Sequence, residues 1–301
     1  MSHNHDNHSS QLTSVKLLIA TLLNIFITII EIIGGLLSGS LSLLSDAFHN
    51  FSDAIAIIIS YIANRLSGKP NSLKYTFGLK RAEIIAAVIN SSALIIICFF
   101  LIKESVFRLL SPSPIKGYIM LIVAAGGLVA NLIGTFLLKK GSQRSLNFKA
   151  AYFHLLSDAI SSFAVIIGAV FIIYFKIYWI DPILTILISI YILLESFHIL
   201  KDATDIVMMS VPPDLTVEEV AKFIHTFPEI KNVHHIHLWR LNDNDIHFEA
   251  HINVEDMSVS KTAPLRDKLE KELHNKFELT HFTFQFECDS CEDMGLIKNT
   301  V

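Results

Sequence analysis

The stretch Phe153–Phe175, FHLLSDAISSFAVIIGAVFIIYF, decides the fold class of this chain. It is long enough to cross the hydrocarbon core of a bilayer, which requires about 20 helical residues. Apolar and small residues fill most of it, and His154 and Asp158 interrupt its first half. The stretch therefore predicts a membrane-spanning helix that carries two ionisable side chains.

Similar apolar runs fill the first two thirds of the chain. Of its 301 residues, 52% are hydrophobic and 17% are charged, so the chain is more apolar than a soluble protein of this length. We predict six membrane-spanning helices, at Val15–Leu37, Leu41–Leu66, Leu79–Ile102, Ile115–Lys139, Phe148–Phe175 and Pro182–Lys201. They form a transmembrane domain of residues 15–208, preceded by a His-containing tail of residues 1–14.

Basic residues mark two of the loops between these helices. The loops after the second and the fourth helix contain Arg65, Lys69, Lys74, Lys80, Arg81, Lys139, Lys140, Arg144 and Lys149. The first loop, residues 38–40, has no charge, although Lys103, Arg108 and Lys116 lie near the third loop. Because basic loops remain on the cytoplasmic side of a membrane, we predict that both termini are cytoplasmic. The membrane would be a plasma membrane or a bacterial inner membrane.

The pattern changes after Pro213, where shorter amphipathic segments replace the long apolar runs. A helix, two strands joined by a turn, a second helix and a last strand are predicted at Thr216–Phe227, Val233–Leu241, Ile246–Val254, Lys261–Phe277 and Phe282–Glu287. This α-β-β-α-β order predicts an α+β domain of residues 209–288 with helices on one face of a small sheet. Residues 289–301 would form a short tail. About 80 residues supply only a modest core, which pairing with a second copy would stabilise.

A repeated motif marks the two helices that carry the chemistry. FHNFSDAI at residues 48–55 lies in the second predicted helix, and FHLLSDAI at residues 153–160 lies in the fifth. In each copy the histidine and the aspartate are four residues apart, so both side chains lie on one helix face. Packed together, the two helices can place two imidazoles and two carboxylates around one point: His49, Asp53, His154 and Asp158.

Two histidines and two aspartates suit Zn²⁺. This ion takes four tetrahedral ligands at about 2.0–2.2 Å, and two carboxylates neutralise its charge in a low-dielectric interior. The lack of Cys and Met in the set disfavours Cu(I), and its nitrogen ligands disfavour Mg²⁺ and Ca²⁺, whereas Co²⁺ and Cd²⁺ also fit. The alternative is that these side chains only hydrogen-bond between helices. Each charge at the bilayer centre costs about 2.5–3.5 kcal/mol on insertion scales, which favours the metal site.

The chain resembles the cation diffusion facilitator family over nearly its whole length. Residues 34–49, GGLLSGSLSLLSDAFH, are similar to the first loop and second helix of that family. Residues 75–83 are similar to its entry into the third helix, through Tyr75-Thr76-Phe77-Gly78 and Arg81-Ala82-Glu83, and residues 233–239 to the first strand of its cytoplasmic domain. The resemblance implies six membrane helices and a cytoplasmic ferredoxin-like domain. It also implies a homodimer formed through that domain and the membrane helices.

The resemblance further implies a transported metal, bound by His49, Asp53, His154 and Asp158 as in the zinc-preferring branch of the family. Members of the family exchange metal for protons, and zinc binding to neutral imidazole and ionised carboxylate does displace protons. We predict Zn²⁺/H⁺ antiport out of the cytoplasm and no enzymatic activity, with membrane lipid but no nucleic acid as a partner. The alternatives are a membrane-bound metalloenzyme, which would need more histidines, and a metal sensor, which would not need two intramembrane ligand pairs.

The C-terminal domain is rich in histidine, and relatives can hold regulatory zinc in it. By the resemblance, the ligands here would be His234, His251 and Glu287. Gln285 and Ala263 stand where such relatives have histidine. The alternative is that the histidines of this domain are ordinary surface or core residues.

Both ends of the chain carry further candidate ligands. Cys288 and Cys291 form a CxxC pair, which either joins a zinc site or is a plain thiol pair. His3, His5 and His8 either capture zinc weakly or are inert. Three cysteines in the whole chain make no disulfide framework and fit a reducing compartment for the tail.

Overall fold

The computed structural model describes residues 22–67, 72–139, 146–242, 245–288 and 295–297. The N-terminal tail of residues 1–14 and Cys291 lie outside these ranges, so the predictions for them stay predictions. The chain forms two compact units. One consists of Met1–Tyr61 and Ile89–Leu200, and the other consists of Ile62–Val88 and Lys201–Val301.

Apolar helices dominate the first part of the chain. The described helices are α1 (Leu22–Ser38), α2 (Leu41–Ser67), α3 (Ala82–Leu110), α4 (Gly117–Leu138), α5 (Leu146–Phe175) and α6 (Ile180–Val207). Within the described ranges, α3, α4, α6 and the Tyr152–Phe175 part of α5 are long and apolar enough to cross a membrane, with mean hydropathies of 2.1 to 2.6. The described part of α1 is apolar but shorter, and polar residues of the first motif copy interrupt α2. Six membrane spans therefore stay a prediction, which length and hydropathy support for four of the described helices.

The helices α3 and α6 extend furthest beyond their predicted bounds. The helix α3 continues to Leu110 rather than ending at Ile102. Its last turns are held by Glu104 and Arg108, whose Oε1 and Nε atoms are 3.1 Å apart at the (i, i+4) spacing that stabilises helices. The helix α6 begins at Ile180, so Pro182 lies in its first turn, where proline does not break the hydrogen-bonding pattern.

The start of α2 is fixed by an aspartate at the start of α6. The Asp181 side chain is fully buried and accepts hydrogen bonds from Ser40 Oγ at 2.6 Å and Leu41 N at 2.9 Å. It also accepts from Ser42 N at 3.2 Å and Ser42 Oγ at 2.6 Å. The first backbone N–H groups of a helix have no partner within the helix, and here a carboxylate from another helix supplies it. The position of α2 along α6 is thereby set.

The turn between α1 and α2 depends on a glycine. Gly39 has φ +77°, a left-handed conformation that residues with a Cβ rarely adopt. Its N–H donates to Gly35 O at 2.9 Å, and its carbonyl accepts from Arg108 Nη1 at 2.5 Å. This tight turn leads directly into Ser40 and the capped start of α2.

The C-terminal domain contains a three-stranded sheet and two helices. Its elements are α7 (Val217–Ile224), β1 (Ile230–Arg240), β2 (Ile246–Val254), α8 (Val259–Phe277) and β3 (His281–Glu287). The strands pair in the order β1-β2-β3, antiparallel between β1 and β2 and parallel between β2 and β3. The α-β-β-α-β order agrees with the prediction, while the ferredoxin-like topology stays a prediction.

Both helices of this domain contribute to one apolar core. Ile224 of α7 and Leu269 of α8 are fully buried in the same cluster as Phe248 and Ile252 of β2. The helix α7 is well capped, since Thr216 Oγ1 accepts a hydrogen bond from Glu219 N at 3.3 Å. The core fixes which face of the sheet is covered, and hence which strand residues remain available for a site.

Candidate metal centre

The two copies of the motif are brought together by hydrogen bonds from α5 to α2. Asp46, one turn before His49 on α2, is buried and accepts hydrogen bonds from Ser161 Oγ and from Ser162 Oγ, the latter at 3.2 Å. The cap of α2 is Asp181, whereas Asp46 joins α2 to α5.

The four predicted ligands face one another across these helices. His49 Nε2 is 3.6 Å from Asp53 Oδ2 and 3.9 Å from Asp158 Oδ1. His154 Nε2 is 3.4 Å from Asp53 Oδ2 and 3.5 Å from Asp158 Oδ2. Each imidazole therefore faces both carboxylates, one from its own helix and one from the other.

These separations fit a tetrahedral metal site better than hydrogen bonds. Four ligands at the usual zinc distances of about 2.0–2.1 Å are roughly 3.3–3.4 Å from one another. The four separations here, 3.4 to 3.9 Å, are close to that value and longer than nearly all nitrogen–oxygen hydrogen bonds. One ligand atom each of His49, Asp53 and His154 lies within 4.8 Å of the others, whereas Asp158 approaches the two imidazoles through different oxygens.

Unsatisfied polar atoms at the site point to the same chemistry. Oδ2 of Asp53 and Oδ2 of Asp158 are buried and accept no hydrogen bond from any described residue. The Asp158 side chain is only 2% exposed, whereas that of His154 is 35% exposed. A buried carboxylate without a partner is costly, and a divalent cation between the two carboxylates would remove that cost. The exposed edge of His154 leaves the cluster accessible.

A further polar pair lies beside this cluster. Glu31 of α1 is fully buried and accepts a hydrogen bond at 3.1 Å from Nδ2 of Asn50, the residue after His49. This hydrogen bond links α1 to α2.

Asp181 is the residue that the sequence analysis did not single out. An acidic residue directly before Pro182 at the start of an apolar helix was the available signal.

A second cluster lies on the three strands of the C-terminal domain. His234 and His251 are register partners on β1 and β2, and Glu287 ends β3. Glu287 Oε1 is 2.8 Å from His234 Nε2, and its Oε2 is 3.3 Å from His251 Nδ1. The structure thus brings together the three residues predicted for this domain.

One ring nitrogen of His234 has no partner among the described residues. His234 is fully buried; its Nδ1 makes no hydrogen bond within the described part of the chain, and its Nε2 contacts Glu287 Oε1 at 2.8 Å. His251 Nδ1 is also buried without a hydrogen bond. Three ligand atoms within 4.8 Å of one another can hold a metal ion whose fourth position is open.

Gln285, where relatives would have histidine, is the register partner of His251 on β3. Cys288 is an exposed free thiol.

Comparison with known proteins gives matches over nearly the whole chain. Residues 17–208 match the family model of the cation efflux transmembrane domain. Residues 212–288 match the model of the cytoplasmic domain of cation efflux proteins.

Individual relatives align from end to end. The zinc transporter ZitB of Pectobacterium atrosepticum is 34% identical over 295 residues, which cover 97% of this chain and 91% of the relative. The metal cation efflux system protein CzcD of Cupriavidus metallidurans is 35% identical over 290 residues, 96% of this chain and 91% of the relative. The cadmium, cobalt and zinc/H(+)-K(+) antiporter of Bacillus subtilis is 35% identical over 293 residues, 96% of this chain and 93% of the relative.

Proposed function

The chain belongs to the cation efflux family, and from that premise we propose that it exports Zn²⁺ from the cytoplasm in exchange for protons. It is an integral membrane protein and a metal transporter rather than an enzyme. The observation that carries the proposal is the cluster of His49, Asp53 and His154 between α2 and α5, whose ligand atoms lie within 4.8 Å of one another. Asp158 faces both imidazoles, at 3.9 and 3.5 Å, and we take it as the fourth ligand. We expect Zn²⁺ to be the main substrate, with Cd²⁺ and Co²⁺ also accepted, as in the names of the relatives.

The ligand chemistry couples the two ions. Zn²⁺ binds neutral imidazole nitrogen and ionised carboxylate oxygen, so protons compete with the metal for the same four side chains. In the metal-bound state, Asp53 and Asp158 balance the charge of the ion, which keeps the site neutral inside the membrane domain. If protons replace the metal, the carboxylates are neutralised instead. Neither the metal-bound nor the proton-bound site then carries an uncompensated charge when it opens to the other side of the membrane.

We expect a pH difference across the membrane to drive zinc flux. Full-length protein would be reconstituted into liposomes that contain a zinc-sensitive dye, and zinc would be added outside at neutral pH. Liposomes with an acidic interior should take up zinc several times faster than liposomes without a gradient, because each entering ion displaces protons outward. A potassium gradient at equal pH serves as the control, since one relative is named for potassium as well. Zinc uptake that ignores the pH difference would exclude proton exchange.

We further propose that His234, His251 and Glu287 bind a second zinc ion, which regulates transport. Support comes from their three separate strands and from the convergence of their ligand atoms within 4.8 Å. The buried Nδ1 of His234, which makes no hydrogen bond to any described residue, adds to it. A rise of zinc in the cytoplasm would then be sensed by the C-terminal domain of the same chain.

Removing one ligand of this second site should lower zinc stoichiometry without removing the transport site. We expect His251→Ala to bind about one zinc ion fewer per chain than the unmodified protein in equilibrium dialysis, since a three-ligand site rarely survives the loss of a ligand. His225→Ala is the matched control, because His225 is exposed at the end of α7. Equal stoichiometry in both variants would refute the site.

The remaining features of the proposal concern assembly and orientation. We propose a homodimer formed through the C-terminal domain and the membrane helices, which agrees with the match of residues 212–288 to the cytoplasmic domain of the family. We also propose that both termini face the cytoplasm, in a plasma membrane or a bacterial inner membrane. The basic loops support this orientation, because they favour the cytoplasmic side.

A further inference from the structure

One charged side chain of the membrane helices belongs to neither metal cluster. Glu195 lies in α6, a helix long and apolar enough to cross a membrane, and its side chain is exposed. It makes no hydrogen bond or ion pair with any described residue. An unpaired charge in a membrane helix is costly when it faces lipid, so such residues face water-filled cavities and mark the pathways of ions.

The packing of α6 against α2 places Glu195 at the depth of the transport site. The carboxylate of Asp181, at the start of α6, caps the start of α2. Further along, Ser45 Oγ and Ser189 Oγ are 3.1 Å apart, so the two helices run in the same direction. Counted from the Asp181 contact at 1.5 Å per residue, Asp53 lies roughly 18 Å along α2 and Glu195 lies roughly 21 Å along α6.

The packing of α6 against α5 places Glu195 beside His154. The short connection of residues 176–179 makes α5 and α6 antiparallel neighbours, and Ser157 Oγ lies 3.4 Å from the Tyr191 hydroxyl. Glu195 is one turn beyond Tyr191 on the same face of α6. Because the helices run in opposite directions, this turn lies opposite the preceding turn of α5, which carries His154. The His154 side chain is 35% exposed, so both residues are accessible to water.

The charge of Glu195 reaches the proposed ligands. It acts electrostatically on His49, Asp53 and Asp158. Asp46 is also acidic and close to the cluster, but it is buried and accepts hydrogen bonds from α5. A hydrated cation can therefore reach Glu195 without displacing a partner. Negative charge at the entrance of a cleft raises the local concentration of cations and their rate of binding.

We propose that Glu195 attracts the metal ion as it enters from the cytoplasm and holds it, still hydrated, beside His154 before the four ligands bind it. This inference rests on the proposed function, because it concerns the route to the same transport site. With both termini in the cytoplasm, α6 runs from the outer side inward. A distance of roughly 21 Å along α6 then places Glu195 in the cytoplasmic half of a hydrocarbon core about 30 Å thick. Glu195 acts through its charge and is not a ligand, because four ligands already complete the usual shell of Zn²⁺.

The kinetics of zinc uptake into inverted membrane vesicles test this role, because the cytoplasmic side of such vesicles faces the added metal. We expect Glu195→Gln to raise the KM for zinc about tenfold and to change kcat by less than about twofold, since charged clefts accelerate encounter by roughly 10- to 1,000-fold. The KM for Cd²⁺ should rise by the same factor, because attraction depends on the charge of the ion. Zinc stoichiometry in equilibrium dialysis should stay unchanged.

Salt and two further variants separate attraction from a structural role. Because Glu195 is exposed, its charge should be screened at roughly 1 M ionic strength, where the Debye length is about 3 Å. Choline chloride on both sides of the membrane should therefore bring the two KM values together. Glu195→Asp keeps the charge, so its KM should remain closer to that of the unmodified protein than to that of Glu195→Gln. Glu104→Gln is the matched control, because Glu104 is exposed on α3 and pairs with Arg108; its KM should be unchanged.

Four outcomes would overturn the proposal. The first is an unchanged KM in Glu195→Gln at low salt. The second is a rise in KM that persists at high salt or differs between Zn²⁺ and Cd²⁺, which would make Glu195 a ligand. The third is a loss of kcat, or a Glu195→Asp variant that behaves like Glu195→Gln. The fourth is failure of Glu195→Gln to fold, as judged by size-exclusion chromatography, because the carboxylate would then have a structural role. Absence of zinc uptake by the unmodified protein would contradict the proposed function instead, so the two failures are distinguishable.

Discussion

Zinc uptake into inverted membrane vesicles should fall more than roughly 100-fold when Asp158 is replaced by asparagine. Even residues that only orient metal ligands contribute about 10- to 100-fold to metal affinity or activity. The loss of a ligand itself should therefore reduce zinc uptake by more than this factor. Asp158 is the most deeply buried of the four proposed ligands, at 2% exposure, and its two oxygens lie 3.9 Å from His49 Nε2 and 3.5 Å from His154 Nε2. It therefore completes the site toward both imidazoles.

Asparagine keeps the shape of the side chain and removes its charge. With Asp53 alone, the bound Zn²⁺ would retain one uncompensated positive charge in a low-dielectric surrounding, which is strongly unfavourable. The metal-free protein should be no less stable than the unmodified protein, because Oδ2 of Asp158 is buried without a hydrogen bond in the described structure. A loss of transport without a loss of thermal stability would separate a ligand from a structural residue.

The matched control is Ser157→Ala. Ser157 precedes Asp158 on α5, and its Oγ contacts the Tyr191 hydroxyl at 3.4 Å rather than the cluster. This variant should transport zinc at close to the normal rate. Uptake would be measured with radioactive zinc at matched protein levels. Normal uptake by Asp158→Asn would show that Asp158 is not a ligand of the transported metal.

The geometry of the proposed transport site could be predicted because local rules determine it. Four-residue spacing places His49 with Asp53, and His154 with Asp158, on single helix faces, and the repeat of the motif requires only that the two helices pack together. The helix ends could not be predicted in the same way. Hydropathy indicates how much of α3 is apolar, but the helix continues to Leu110 through turns that include the charged residues Lys103, Glu104 and Arg108.

Residues far apart in sequence were harder to predict. Asp181 caps α2 although Leu41 and Asp181 are 140 residues apart in sequence, and no sequence periodicity predicts such a contact. On β1, His235 has φ +52° and lies where the register with β2 shifts between His234 and His237. A simple alternation of strand faces does not anticipate this irregularity. The second cluster was therefore expected from family resemblance, whereas its geometry depends on the register of three strands.

The basic loop before α3 illustrates a different limit. Its basic residues were used only to orient the chain in the membrane, because a sequence does not show which charges will find partners after folding. The structure pairs Lys80 with Asp245 and leaves two donor atoms of Arg81 buried without an acceptor among the described residues.

Replacing Asp181 by alanine should lower the stability of the full-length protein by about 3 kcal/mol or more, since each hydrogen bond to a charged group contributes about 1.5–3 kcal/mol. Four hydrogen bonds end on this carboxylate. Its loss leaves the N–H groups of Leu41 and Ser42 without acceptors in a buried place, and buried donors of this kind are costly. For a membrane domain of about 200 residues we expect the melting temperature to fall by roughly 6–12 °C.

This substitution should also weaken zinc binding, although Asp181 is not a proposed ligand. The first turn of α2, which Asp181 holds, is about two turns from His49, so a loosened start of α2 would displace His49 and Asp53 relative to α5. Asp181→Asn should have an intermediate effect on the melting temperature, because one amide oxygen can still accept hydrogen bonds while the NH₂ group faces a backbone donor.

Thermal unfolding of detergent-solubilised protein, followed by zinc titration of the folded fraction, would test both expectations. Asp214→Asn is the control for the loss of one negative charge, because Asp214 is exposed. An Asp181→Ala protein with an unchanged melting temperature would show that the buried carboxylate does not fix α2. The melting temperature could fall while the zinc affinity is unchanged. That result would mean that Asp46 and its serine partners suffice to hold α2 in register with α5, and that the metal site does not depend on the start of α2.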